Sequence, residues 1–321
     1  MPSRTAVFRK TYSNQLDRAC EQHAVKVLVT GAAGFIGRRL VAELANSHTV
    51  DGLVRSNDPS LPKGVQTVVC DLTRPLENVG LPPKVDVVVH LAQSRHHRDF
   101  PESSRDMFDV NVGSTQRLLE YARQAGARRF VYASSGGIYG YSADPVNEES
   151  PVDPIGYYQT TKYLGELLLK AYREFFSAVI LRPFFVYGQG QARNMFLPRL
   201  AVSILEGRPI YLSGMNGIRL NPVHVSDAVR AFASAIELDG NNVVNVAGPD
   251  VMSLREIVEA MAAFLGRVTV FDRVSTASTG DLIGDITRMT AVFGPPGVRL
   301  RDRLSEVYTS AAATSAGVAD G

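Results

Sequence analysis

The chain has no tryptophan, two cysteines among 321 residues, and six lysines beside 28 arginines. Cys20 and Cys70 are too few and too far apart for a disulfide framework or a zinc site, so no metal is expected, and a reducing, cytoplasmic setting fits. Charge of either sign is not in excess: 34 basic and 32 acidic side chains give a net +2. That balance points to no nucleic-acid partner and no anionic membrane surface. No run approaches the ~20 apolar residues that span a bilayer. Residues 1–24 carry Arg4, Arg9, Lys10 and Arg18 without the apolar centre of an export signal, and are read as an appended arm. Residues 309–321 offer no large side chains to bury and are expected to be a flexible tail.

What is present is an ordinary globular composition, 45% hydrophobic with a mean hydropathy of −0.02, and an alternation of strands and helices. Strands are predicted at Val25–Thr30, Thr49–Arg55, Gln66–Cys70, Val85–Leu91, Arg129–Ala133 and Ala178–Arg182. Helical spacing runs over Arg38–Leu44 and from about Arg105 to Gln124. Short continuous apolar runs between helices indicate strands covered on both faces, hence an α/β fold with a doubly wound parallel sheet. After residue 187 the regularity weakens. The expected division is a dinucleotide-binding domain over 25–187 plus about 223–248, where Val243–Val246 returns as a strand, and a smaller α+β substrate domain over 188–222 plus 249–308.

Chemistry enters at Gly31-Ala-Ala-Gly34-Phe35-Ile36-Gly37, a GxxGxxG between the first strand and the first helix. Glycines let backbone turn tightly against a pyrophosphate, whose charge the helix N-terminus favours. The spacing alone is weak; the strand before and helix after make it a dinucleotide site. At the end of the second strand an acid would accept a ribose 2′-hydroxyl, and an arginine would favour a 2′-phosphate. The chain has Arg55 there, so the cofactor expectation is NAD(P) with a tilt to NADP. Asp71-Leu72, after the third strand, is placed to meet the adenine.

Tyr158-Gln-Thr-Thr-Lys162 sets a phenol and an ammonium at i and i+4 on one helix face. Ser134-Ser135 lie at the carboxyl edge of the sheet, where ligands sit in open α/β folds. A phenol with a pKa near ~10 is a poor base at neutral pH, and a neighbouring ammonium lowers it. Ser135 would then hold a substrate oxygen, Tyr158 would move the proton, and a nicotinamide would exchange the hydride.

In this order the motifs Gly31–Gly37, Asp71-Leu72, His90-Leu91-Ala92, Asn111, Ser134-Ser135, Tyr158/Lys162, Leu181-Arg182-Pro183 with Val186-Tyr187-Gly188, and Val223-His224-Val225 resemble the extended short-chain dehydrogenase/reductases, the NAD-dependent epimerase/dehydratase family. The resemblance covers about 25–305. It implies a Rossmann domain, and cofactor contacts at Leu91, Ala92, Gln93, Pro183 and Val186 besides the glycine loop, Tyr158 and Lys162. It also implies a homodimer through helices near 105–125 and 158–175, and a structural Asn111 bracing a kink in the sheet.

Within that family, 4,6-dehydratases carry Thr-Asp-Glu where this chain has Ser135-Gly136-Gly137, which disfavours dehydration. A 4-epimerase or 4-ketoreductase acting on a nucleotide sugar is the leading expectation. Two departures bear on the substrate. Phe185 stands where many relatives hold pyrophosphate with Asn, and Ser278-Thr279-Gly280-Asp281 stands where many carry Arg-Pro-Gly-Asp. Asn194 and Arg219 are candidate substitutes, with Arg193, Arg199 and Arg273 beside them. These departures keep open an NADP(H)-dependent reductase of a non-nucleotide ketone, and a non-catalytic dinucleotide sensor is the third possibility. His96-His97 read as loop surface, His224 as a loop-orienting residue, and Leu164, Leu167, Leu168 and Ala171 as core or dimer packing.

Overall fold

The computed structural model describes residues 24–274 and 280–312. The expected N-terminal arm, all but Ala24, lies outside the described residues, as do Ser278, Thr279 and everything beyond Ala312. In chain order the first half runs β1 (Lys26–Thr30), α1 (Gly37–Leu44), β2 (Thr49–Val54), β3 (Gln66–Val69), β4 (Val87–His90), α2 (Ser104–Phe108), α3 (Ser114–Gln124), β5 (Arg129–Ala133), α4 (Tyr157–Ala171) and β6 (Ser177–Pro183). It continues with α5 (Phe196–Leu205), β7 (Ile210–Ser213), β8 (Arg219–Leu220), α6 (Val225–Ala235), β9 (Asn242–Val246), β10 (Met252–Ser253), α7 (Leu254–Leu265), β11 (Phe271–Val274), α8 (Thr287–Phe293) and α9 (Leu304–Ala312).

Seven strands form one sheet in the order β3-β2-β1-β4-β5-β6-β9, with every pairing parallel. Parallel strands need cover on both faces, and the alternation of side chains supplies it. Val27 and Val29 of β1 face Leu40, Val41 and Leu44 of α1, joined by α6 and α8. Leu28 of β1, Val88 of β4 and Phe130 of β5 face Leu118, Leu119 and Ala122 of α3 and Leu169 of α4. The strand order reverses between β1 and β4, which opens a crevice at the carboxyl ends of both.

A second apolar cluster joins α5, α7 and α9 through Leu197, Ala201, Ile257, Val258, Met261, Leu304 and Val307, with Ile210 and Leu212 of β7. Two short pairings complete it, β10 with β8 antiparallel and β11 with β7 parallel.

Two boundaries differ from the sequence reading. The helix expected from about Arg105 to Gln124 is broken into α2 and α3 by a π-helical turn at Asp109–Gly113. The first residues of the tail expected from 309 are helical instead: α9 continues to Ala312, with Ser310 and Ala311 buried. Ser310 accepts a hydrogen bond from the Gly190 amide at 3.0 Å and donates to the Gly188 carbonyl at 3.2 Å. Small side chains bury here by letting backbone approach, a property that hydrophobicity does not signal.

Candidate active site

β1 ends directly in the glycine turn. Gly31 has φ +67°, and a Cβ on it would lie 3.0 Å from the Ala92 nitrogen. The Gly34 amide donates to the Gly31 carbonyl at 2.8 Å. A Cβ on Gly34 or Gly37 would come within 2.9 or 2.1 Å of that same oxygen. The turn is thus closed on itself and on the segment after β4, leaving the first amides of α1 at the crevice, which is a fit for a dinucleotide pyrophosphate. Phe35 and Ile36 are half-buried beside it, with Arg39 over the Phe35 ring at 5.1 Å. Arg55 is exposed just past β2. Asp58 spends its carboxylate on the Ser60 amide and hydroxyl. Asp71 likewise accepts from the amide and hydroxyl of Thr73, which hold its carboxyl below the usual range, Arg74 and Arg55 adding to the effect.

Behind the crevice lies a buried polar layer. His90, at the end of β4, contacts the hydroxyls of Thr30 at 2.7 Å and Thr115 at 3.1 Å. Burial, with Lys162 adding repulsion, pushes it down to about 3, so it is a neutral spacer. Asn111, in the π-helical turn, accepts from the Ser94 amide and donates to Thr161, both at 2.9 Å. It therefore braces the loop after β4 against α4, rather than the sheet kink that the resemblance implies.

Tyr158 and Lys162 start α4 on the face turned to this layer. Lys162 is 1% exposed, with its ammonium 4.7 Å from the Tyr132 ring centroid. Burial brings it down to about 7 against the raising influence of Glu166, whose carboxylate is bonded to Arg182 instead. Tyr158 is half-buried, and desolvation holds its phenol above the ordinary value. Its hydroxyl donates to Gln93 Oε1 at 2.7 Å. Ser135 is extended and caps a 3₁₀ turn, Gly136–Tyr139, accepting from the Gly137 amide at 3.1 Å. Its hydroxyl proton stays available for a substrate oxygen. Ser134 Oγ is buried without a hydrogen-bond partner.

The tentative substrate residues are more dispersed. Phe185 has φ +45°, an uncommon conformation for an aromatic residue, and its ring lies 5.1 Å from that of Phe196. Arg219 is paired with Asp281 at 2.6 Å, and Asn194 is exposed before α5. His97, read as loop surface, packs 5.4 Å from the Tyr158 ring, while Phe100 stacks on Tyr157 at 4.9 Å. Leu167 and Ala171 are exposed on α4, while the helix's core face is Thr161, Lys162, Gly165, Glu166 and Leu169. His224 does orient a loop: it caps α6 through Ser226 and pairs with Glu306 at 2.9 Å. The Gln93–Tyr158 bond and the Glu166–Arg182 pair were absent from the sequence reading. The sequence named Gln93 as a cofactor contact, and Glu166 lies one turn beyond Lys162, a spacing that signals a shared helix face.

Comparison with known proteins bears on this geometry. A UDP-glucose 4-epimerase of Mycolicibacterium smegmatis is 34% identical over 265 residues, covering 75% of this chain and 83% of that protein. A dTDP-4-dehydro-6-deoxy-D-allose reductase of a Streptomyces species is 31% identical, covering 87% and 94%. The solved structure of MoeE5 in complex with UDP-glucose and NAD superposes with a TM-score of 0.76 at 32% identity, covering 88% of this chain and 97% of that one. The sequence model for the NAD dependent epimerase/dehydratase family matches residues 27–247. With that match running from β1 through β9, and with the glycine turn and the tyrosine–lysine helix inside it, the chain belongs to the NAD dependent epimerase/dehydratase family.

Proposed function

We propose that this enzyme is an NAD(P)-dependent nucleotide-sugar 4-epimerase or 4-ketoreductase. The observation that carries the reading is the buried Lys162 ammonium one helical turn from the Tyr158 phenol, at the crevice edge that also holds the closed glycine turn. The amides of Phe35, Ile36 and Gly37 would hold the pyrophosphate, the Gly34 amide being spent on the Gly31 carbonyl, and Leu91, Ala92, Pro183 and Val186 would flank the nicotinamide. Ser135 donates its hydroxyl proton to the substrate oxygen. Tyr158 gives a proton to that oxygen in reduction and takes it back in oxidation, with Lys162 favouring the phenolate electrostatically. When bound, the nicotinamide supplies the hydride chemistry.

Dehydration is disfavoured on two counts. Gly136 and Gly137 offer no acid, and a Cβ on Gly136 would lie 2.6 Å from the Phe184 ring, so no acidic side chain fits there. The solved relative binds UDP-glucose, which supports a nucleotide sugar. Phe185 in a left-handed backbone, packed on Phe196, favours the second reading, a reductase of a non-nucleotide ketone. The intact Ser135, Tyr158 and Lys162 argue against a non-catalytic sensor. A screen of UDP- and dTDP-sugars decides among the rest. Isomerisation without net cofactor change supports the epimerase, and stoichiometric NAD(P)H consumption supports the ketoreductase. Turnover of other ketones alone would replace the nucleotide sugar.

Arg55 bears on the dinucleotide. It lies past β2 with its guanidinium exposed, while the nearby acid Asp58 is committed to Ser60. This favours a 2′-phosphate, although the solved relative holds NAD. Arg55→Asp is expected to move the NADP:NAD ratio of kcat/KM toward NAD by about tenfold, the scale of one charge-assisted hydrogen bond. An unchanged ratio would remove Arg55 from the site.

Exposed Leu167 and Phe175, with Arg123 of α3 over the Phe175 ring at 5.7 Å, support a homodimer through α3 and α4. Sedimentation equilibrium should give twice the 34.9 kDa chain mass, and a monomer at micromolar concentration would contradict it.

A further inference from the structure

The hydroxyl of Tyr158 is held by a residue 65 positions away. Gln93 follows Ala92, whose backbone is pinned beneath the glycine turn, and its Oε1 accepts the phenol proton at 2.7 Å. The loop that carries Gln93 is itself fixed on α4. Asn111 ties the Ser94 amide to Thr161, His97 packs on the Tyr158 ring, and Phe100 stacks on Tyr157. Gln93 is thus presented to the phenol by a braced segment although its own side chain is exposed.

A carboxamide can play both parts toward this phenol. It has an acceptor oxygen and a donor nitrogen on one carbon, exchanged by a half-turn of the amide. Among the described residues, Gln93 is the one side chain hydrogen-bonded to the Tyr158 hydroxyl. Lys162, one turn along α4, is donor-only when charged; Tyr132 of β5 lies behind the ammonium, and His97 of the β4–α2 loop packs on the ring at a tilt of 56°.

We propose that Gln93 is a positioning residue for Tyr158 in both of its protonation states, accepting from the phenol through Oε1 and donating to the phenolate through Nε2. The proposal rests on the proton-transfer role given to Tyr158 above and goes beyond it. A reversible proton donor must stay aimed before and after it gives up its proton, and a partner of fixed polarity serves only one of those states. Gln93 serves both at the cost of an amide rotation, which suits a reaction run in either direction at one carbon.

The test is a titration of the NAD-bound full chain by tyrosinate absorbance, with Tyr158→Phe subtracted to isolate the one phenol, alongside pH–rate profiles in both directions. Gln93→Glu keeps the acceptor and removes the donor. It is expected to raise the Tyr158 midpoint by at least about one unit, because a carboxylate beside the oxygen disfavours phenolate. The limb of alcohol oxidation that needs phenolate should move alkaline by the same amount. Gln93→Met keeps the volume without either bond, and is expected to slow both directions about tenfold, the scale of one hydrogen bond to a charged group. A Tyr158 midpoint in Gln93→Glu within about 0.3 unit of wild type, a small fraction of a neighbouring charge's effect, overturns the proposal. Tyr158→Phe separates the two failures: an active Tyr158→Phe sinks the tyrosine mechanism, whereas an inactive one with an unmoved Gln93→Glu midpoint sinks the role of Gln93 alone.

Discussion

Tyr158→Phe should reduce turnover by at least ~100-fold, the lower range for loss of a general acid–base, while cofactor affinity changes by less than about twofold, well below the ~1 kcal/mol of one typical hydrogen bond. The ring is not expected to be the issue. Phe keeps the packing against His97, whose ring lies 5.4 Å away, and the buried core face of α4 does not involve Tyr158. Only the hydroxyl is lost, and with it the group proposed to exchange a proton with the substrate oxygen. The electrostatics explain why no neighbour replaces it. His90 is the nearest imidazole in the buried layer, but burial holds it neutral, down to about 3, with both ring nitrogens engaged by Thr30 and Thr115. His97 touches the ring rather than the oxygen. Lys162 is brought down to about 7 by burial, so its ammonium is readily surrendered, yet it sits 4.7 Å from the Tyr132 ring centroid at 1% exposure. Steady-state kinetics with a fluorescence titration of the dinucleotide would check both halves. Activity within a few-fold of wild type would exclude Tyr158 as the proton donor.

Much of this site is legible in the sequence because its parts are local. The glycine turn, Ser134-Ser135 and the Tyr158/Lys162 pair each lie within one strand end or one helical turn, where period and spacing specify side-chain direction. Strand positions follow from the same logic: Val243–Val246 was expected and β9 spans Asn242–Val246. What the sequence leaves dark is whatever depends on two segments meeting. Gln93 and Tyr158 are 65 residues apart, and their bond exists only because β4 ends and α4 begins on the same side of the sheet. The π-helical turn at Asp109–Gly113 is invisible to a 3.6-residue period, since one inserted residue displaces the pattern without erasing it. The end of α9 was missed for a third reason, that Ser310 buries through two hydrogen bonds to the 188–190 backbone.

The pair formed by Glu166 and Arg182 shows how such a long-range contact supports the local ones, and it carries the largest expected stability effect. Arg182 Nε and Nη2 donate to the two carboxylate oxygens of Glu166 at 2.9 and 2.7 Å, and both residues are essentially excluded from solvent. Arg182 also donates to the Tyr139 hydroxyl at 2.6 Å, which donates onward to Asn245 at 2.8 Å. The chain of bonds therefore ties α4 to β6, β9 and the turn after Ser135. A buried pair need not be better than apolar packing, but removing one partner strands the other charge. Glu166→Gln is accordingly expected to lose about 3–5 kcal/mol in urea unfolding, because the carboxamide turns one donor toward a guanidinium that has only donors. Glu166→Leu combined with Arg182→Met should recover most of that loss. A single variant within about 1 kcal/mol of wild type, the scale of an exposed pair, would mean that Arg182 is satisfied without Glu166. The same substitution reaches the proposed Tyr158–Lys162 dyad. Glu166 is one turn from Lys162 and raises its pKa against burial. Without that carboxylate the ammonium is lost at a lower pH than about 7, and the alkaline limb of the activity that depends on charged Lys162 should shift toward acid. Fold stability and the charge state of Lys162 are thus expected to change together through one buried carboxylate.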